Sequence, residues 1–254
     1  MLFTDTVIST ISDLAAYESD IRDLASVANL DLDTKLGRAQ MEVGVELLGA
    51  TVAHALDSSA GPSFTLDQVV VTDALRLWHV FHTLTIVYRD AYNRKLNDKY
   101  LLKWKDYGAL SKWASHAYFN IGVGLVLRPL PAPGRPAVSV TAGGALPAAI
   151  YFVRATWVDA QGRESGPSEL VSQSAAASEL LTVSLAGQQP PAGAAGWFPY
   201  AGTDPDGPQR QVSAPVAAAE AWTMPAGGLI AGTVVSDGQG PDYYRQITRN
   251  LQRG

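Results

Sequence analysis

His79 and His82 lie one helical turn apart, a spacing at which two imidazoles can share a metal ion. Neither a His-Glu-x-x-His motif nor a clear third ligand accompanies them, so packing or hydrogen bonding inside a helical bundle is the competing use. The remaining histidines, His54 and His116, add no ligand spacing. Glu42 and Glu46 are also one turn apart, but a di-metal centre needs matching Glu-x-x-His motifs on partner helices, and none is present. Asp204 and Asp206 fall in a Gly/Pro-rich loop, where a solvated turn competes with a glycosidase pair or a calcium site. The chain has no Gly-x-Ser-x-Gly elbow, phosphate-binding loop or dinucleotide fingerprint; Gly122-Val-Gly124 is too short, and leads to a strand or linker instead of opening a helix. It has no cysteine, so a thiolate metal site, a cysteine nucleophile and a disulfide scaffold are all excluded. The expectation is no catalytic site, no metal and no cofactor.

Two features point to binding instead. Lys95, Lys99 and Lys103 recur at four-residue intervals beside Tyr92, Leu96, Tyr100 and Trp104. On a helix this is a basic face next to an aromatic one, and it reads either as solvated surface or as a protein interface anchored by Trp104. Nucleic-acid contact is the third use. The last residues, Pro241–Gly254, open with Pro-Asp, which suits a helix start, and carry Arg245, Arg249 and Arg253 at four-residue spacing. Tyr244, Ile247 and Leu251 would form the neighbouring face. This basic, amphipathic tail is either a frayed terminus or a segment that folds on docking in a partner's groove.

The elements that would position these residues divide into two kinds. Of fifteen prolines only Pro62 precedes residue 128, and every lysine lies at or before Lys112. Such a shift separates a helical part from a part rich in turns and edge strands. The boundaries expected are 1–127 for an antiparallel bundle of about four helices, 128–136 for a Pro-rich linker, 137–240 for a β-sandwich and 241–254 for the arm. Apolar residues at helical spacing give a first helix from a cap at Asp5 to about Ala28, and a second through Leu36, Ala39, Val43, Leu47 and Val52. A break at Ser58–Ser63 follows. Thr65-Leu-Asp-Gln68 has capping-box spacing, Val71–Tyr92 carries a wide aromatic face, and a last helix holds Tyr100, Trp104, Tyr107, Leu110 and Trp113. Strands are expected at Ala137–Thr141, Ala148–Val158, Leu180–Leu185, Gly196–Gly202, Gln209–Val216 and Ala221–Met224. Within the second of these, Tyr151, Val153, Ala155 and Trp157 share one face, and the turn Asp159–Gly162 makes a hairpin at the sandwich's edge.

With 47% hydrophobic residues and a mean hydropathy of +0.03, the chain can bury a core. A net charge of −5 argues against a surface that wraps nucleic acid. No signal-type leader and no apolar run of membrane-spanning length is found, so no membrane partner is expected.

The strand from Ala148, its exit Asp-Ala-Gln-Gly-Arg-Glu-Ser-Gly-Pro-Ser168, and the later Ala195-Gly-Trp-Phe-Pro-Tyr-Ala-Gly-Thr203 resemble the fibronectin-III/Ig-like domains of tailed-bacteriophage structural proteins. Together with a helical bundle and a basic tail, the whole is similar to a head-to-tail adaptor of a tailed phage. The resemblance implies an α+β fold and a non-enzymatic virion protein of the neck, assembled in the host cytoplasm. It further implies a homo-oligomeric ring, a dodecamer in such adaptors, that binds the portal protein, meets tail or nozzle proteins and extends the channel through which DNA passes. The arm, with Tyr243, Tyr244, Arg245, Ile247, Arg249, Leu251 and Arg253, would reach the portal. The sandwich, which the simplest adaptors lack, would be decoration or a mount for tail fibres. The alternative is a receptor- or carbohydrate-binding virion protein using exposed aromatics such as Trp197 and Tyr200.

Overall fold

The computed structural model describes residues 1–55 and 63–247, with 51–55 described as helix only. The fold is α+β: helices in the first half, antiparallel sheets in the second. The chain forms two units, Met1–Asp5 with Arg128–Gly240, and Thr6–Leu127 with Pro241–Gly254. The first five residues and the last fourteen thus belong to the unit remote from them in sequence. Among the described residues no helix is long and apolar enough to cross a membrane.

In the helical unit the expected first helix is two, α1 (Ile11–Ala15) and α2 (Ile21–Ala28). Thr10 caps α1 in a reciprocal box with Asp13. Asp5, expected as the cap, is used in the β unit, where its carboxylate accepts the N–H groups of Leu2 and Ala132 at 2.7 and 2.8 Å. Asn29, in the left-handed region at φ 50°, ends α2. α3 (Leu32–Ala55) buries Leu36, Ala39, Val43 and Leu47. The break expected at Ser58–Ser63 lies almost wholly outside the described residues.

The Thr65–Gln68 box forms, but it closes only a short 3₁₀ turn over Leu66–Gln68. The chain then extends through Val69 and Val70, and Thr72 caps α4 (Asp73–Lys95). α4 is buried on most sides, as the central helix of a bundle must be. Leu96, at φ 49°, stops it, and Asn97 caps α5 (Asp98–Ile121). α4 and α5 run antiparallel, zipped by aromatic pairs: Trp78 with Tyr118 at 5.8 Å, Tyr88 stacked on Tyr107 at 5.5 Å, Tyr92 with Trp104 at 6.3 Å. The strand β1 (Val123–Leu125) follows.

In the β unit, β2 (Ala137–Leu146), β3 (Ala149–Asp159), β4 (Val171–Ala175), β5 (Glu179–Ser184), β6 (Ala194–Gly202), β7 (Gln209–Arg210) and β8 (Trp222–Thr223) form two antiparallel sheets. Their orders are β2-β5-β8 and β4-β3-β6-β7. Tyr151, Val153, Ala155 and Trp157 of β3 share one core with Leu181 and Val183 of β5, Trp197 of β6 and Trp222 of β8, which makes the pair a sandwich. β3 is therefore interior and not the edge expected, because the polar segment Val-Ser-Gln-Ser-Ala175 pairs with it as a strand. The turn after β3 is as read: Gly162 sits at φ 79° and the Asp159 carboxylate accepts from the N–H groups of Gln161 and Arg163. The strand expected over Gln209–Val216 stops at Arg210. There the buried Gln211 side chain takes over the pairing, its amide donating to the carbonyls of Ala201, Gln209 and Ile230 and accepting from Ile230 N–H.

Candidate functional site

The two histidines of α4 face different partners. His79 is fully buried, with Nδ1 2.6 Å from Ser9 Oγ and Nε2 3.1 Å from the Leu36 carbonyl. Burial pushes its pKa down to about 4, so at neutral pH it is an uncharged bridge between the N-terminal segment and α3. His82 has Nδ1 3.3 Å from Ser111 Oγ on α5 and Nε2 2.8 Å from the Glu42 carboxylate on α3. Burial works to raise the Glu42 carboxyl, but hydrogen bonds from Arg38 and His82 outweigh it and hold it below the usual carboxylate range. Both histidines are thus committed to hydrogen bonds, and no group of three potential metal ligands occurs among the described residues.

Ser111, His82 and Glu42 stand in the order in which an acyl-transfer site is built. Ser111, however, lies in the middle of α5, where each backbone N–H is spent inside the helix, so no N–H pair is left to hold an oxyanion. The chain of bonds ties α3, α4 and α5 together. It borders a groove of about 1160 Å³ that α4 lines with Trp78, His82 and Thr85, α5 with residues from Trp104 to Asn120, and α3 with Glu46.

The lysine stripe does not lie on one helix. Lys95 ends α4 and Lys99 begins α5, with the left-handed Leu96 between them, so the continuous basic face over Lys95, Lys99 and Lys103 is corrected to two helix ends. Lys103 donates to Glu18 at 2.8 Å, and Trp104 packs on Tyr92 instead of facing outward alone. Glu18 also accepts from the Tyr107 hydroxyl at 2.9 Å. Burial works to raise its carboxyl, yet Lys103, Tyr107 and Tyr88 together lower it. Burial and the Glu18 charge in turn push both phenols up. This cluster fastens the α1–α2 connection to α5.

The arm departs furthest from the sequence reading. Tyr243, Tyr244 and Arg245, expected in a helix, form the strand β9 (Tyr243–Arg245) on β1, with Val123 opposite Arg245, Gly124 opposite Tyr244 and Leu125 opposite Tyr243. On its other side Gly124 accepts from Val70 N–H, and Val126, just past β1, donates to the Gln68 carbonyl, so β1 is paired along both edges. Asp242 does not open a helix: its N–H donates to the Leu125 carbonyl and its carboxylate accepts from Leu127 N–H at 2.8 Å. Gln246 donates to the Asn120 carbonyl, and Ile247 is buried, both lining the groove. Arg249, Leu251 and Arg253 lie outside the described residues. Gly122 and Gly124, too closely spaced for a nucleotide motif, seat the arm. Gly122 sits at φ 112° with the Arg245 backbone 3.1 Å from where a Cβ would be, and a Cβ on Gly124 would meet Thr72 and Pro241 at 3.1 and 3.2 Å.

In the sandwich, Trp197 and Tyr200 are buried, Trp197 donating from Nε1 to the Ala217 carbonyl and Tyr200 from its hydroxyl to Glu164. The expectation that they are exposed glycan contacts is overturned: both faces of β6 are covered. Asp204 and Asp206 make a local turn, with Asp206 N–H donating to the Asp204 carboxylate at 3.0 Å. The molecule is thus an α+β protein whose polar clusters bind its own elements together. Comparison of the chain with protein-family models, with curated proteins and with solved structures returned no match.

Proposed function

We propose that this protein is a structural virion subunit, a head-to-tail adaptor of a tailed phage. The carrying observation is how the residues after the sandwich are used: they rejoin the helical unit, pair β9 with β1 and bury Ile247 beside α5. Ile247, the last described residue, is therefore seated on a helical platform, which suits an arm that reaches a neighbouring protein. In sequence the sandwich is an insertion between two pieces of that platform, which fits a decorative or fibre-mounting module. On this reading copies form a ring, a dodecamer as in such adaptors, that binds the portal through the arm. The ring meets tail or nozzle proteins below, lets DNA pass without sequence-specific contact, and needs no cofactor, metal or membrane.

Immunogold labelling of intact particles with an antibody to the sandwich tests this. Gold at the junction of capsid and tail is the expected result; gold on distal fibres, or particles without gold, overturns it.

A further inference from the structure

α3 and α5 each pack on α4, whose Trp78, His82 and Thr85, at i, i+4 and i+7, line the groove as its floor. One stripe of α5 makes a wall: Lys105, Ala109, Lys112, His116 and Asn120 are all exposed and recur at three- or four-residue intervals. From Trp104 to Asn120 this wall is about 24 Å long. Gly108 and Ala109, midway along it, carry nothing beyond a methyl group and leave room for a close neighbour.

Most cations near the groove are taken by acids of the same chain: Lys35 by Asp90, Arg38 by Glu42, Lys103 by Glu18. Lys105, Lys112 and His116 are not: none makes a hydrogen bond or ion pair among the described residues, with Glu46 across the groove or with any other acid. They are spread along about 16 Å of helix, so a small anion reaches one or two of them, and only a ligand with acids along its length reaches all three. Glu46 on the facing wall and a net charge of −5 count against a phosphate backbone in that role. Trp78, Trp104 and Ile247 in the lining suit apolar side chains.

We infer that this groove seats an amphipathic helix of a partner protein, its apolar side on the α4 floor and a row of Asp or Glu along the flank that meets α5. The inference does not rest on the virion reading.

Fluorescence anisotropy of the full chain tests it with a fluorescein-labelled sixteen-residue helical peptide, leucine and alanine on one side and glutamate along one flank, and with a twin that has lysine for glutamate. The glutamate peptide should bind one per chain, at least about tenfold more tightly than its twin. Lys105→Glu with Lys112→Glu should remove that preference. Ala109→Trp, which fills the groove and leaves the charge unchanged, should weaken binding at least about tenfold, and Arg22→Glu on α2 should leave it as it was. All three sites are exposed, and circular dichroism checks their folding. No binding, equal binding of both peptides, or binding that survives Ala109→Trp overturns the inference. So does a twenty-nucleotide thymidine strand that binds in the peptide's place and is lost in the double lysine variant, which would make the groove a nucleic-acid site.

Discussion

Of the seventeen large apolar side chains that stand exposed among the described residues, fourteen belong to the helical unit and three, Ile150, Ile230 and Val234, to the sandwich. The sandwich closes on itself: alternate residues of its sheets meet in one core around Trp157, Trp197 and Trp222, and what remains outside is mostly small or turn-forming, alanine, glycine, proline, serine and threonine. The helical unit buries an equally aromatic core through α4, and then has apolar surface left over on α3 and α5. Burial of such surface is the main drive to association. The comparison therefore leaves the sandwich self-sufficient and the helical unit with apolar surface to spare.

If the units are separate in stability, a core deletion in one should spare the other. Trp197→Ala should cost the sandwich about 3–5 kcal/mol and leave the helical transition where it was, giving two separated transitions by calorimetry. A single transition displaced as a whole would join the two units in stability and break the comparison. The next effect concerns pH and only the helices. His79 has a folded-state pKa of about 4 against 6.5 unfolded, so between those values the unfolded chain binds more protons and stability falls as pH drops. The full loss is about 3 kcal/mol. Melts of the wild type and His79→Gln at pH 7 and pH 4 should show a smaller loss for the variant, in the helical transition alone. The smallest effect is a gain. Among the described residues the Tyr118 hydroxyl is buried without a hydrogen-bond partner, so Tyr118→Phe should stabilise the helical unit by about 1 kcal/mol in denaturant titration. A loss of that size would mean that the hydroxyl is satisfied in solution.

The long helices were legible because their buried residues repeat at helical spacing, and the paired glycines and prolines marked where the strands turn. The break between α1 and α2 was not, since Leu14 and Ile21 keep that spacing across it; what holds the break is Glu18, bonded to Tyr107 and Lys103 far along the chain. β4 escaped notice because Ser172, Gln173 and Ser174 carry no apolar alternation, and without it β3 looked like an edge. The arm misled for a related reason. Pro241, Asp242 and the arginine spacing are local helix signals, but the partner strand β1 lies more than a hundred residues earlier, and Gly122 and Gly124 let the two approach. Long-range pairing overrode local preference. The candidate site was legible in its residues and not in their use: the histidines and the lysine stripe were visible, but the bonds that occupy them come from other helices.

On the proposed ring, the helical unit makes the contacts between copies. Hydroxyl-radical footprinting of the full chain, dilute and concentrated, read by mass spectrometry, tests it most directly, because Met41 and Trp113 are readily oxidised and both stand exposed. Oxidation of both should fall as the concentration rises, while Ile230 and Val234 on the sandwich keep theirs. Unchanged labelling of Met41 and Trp113, or protection confined to the sandwich, would contradict the account.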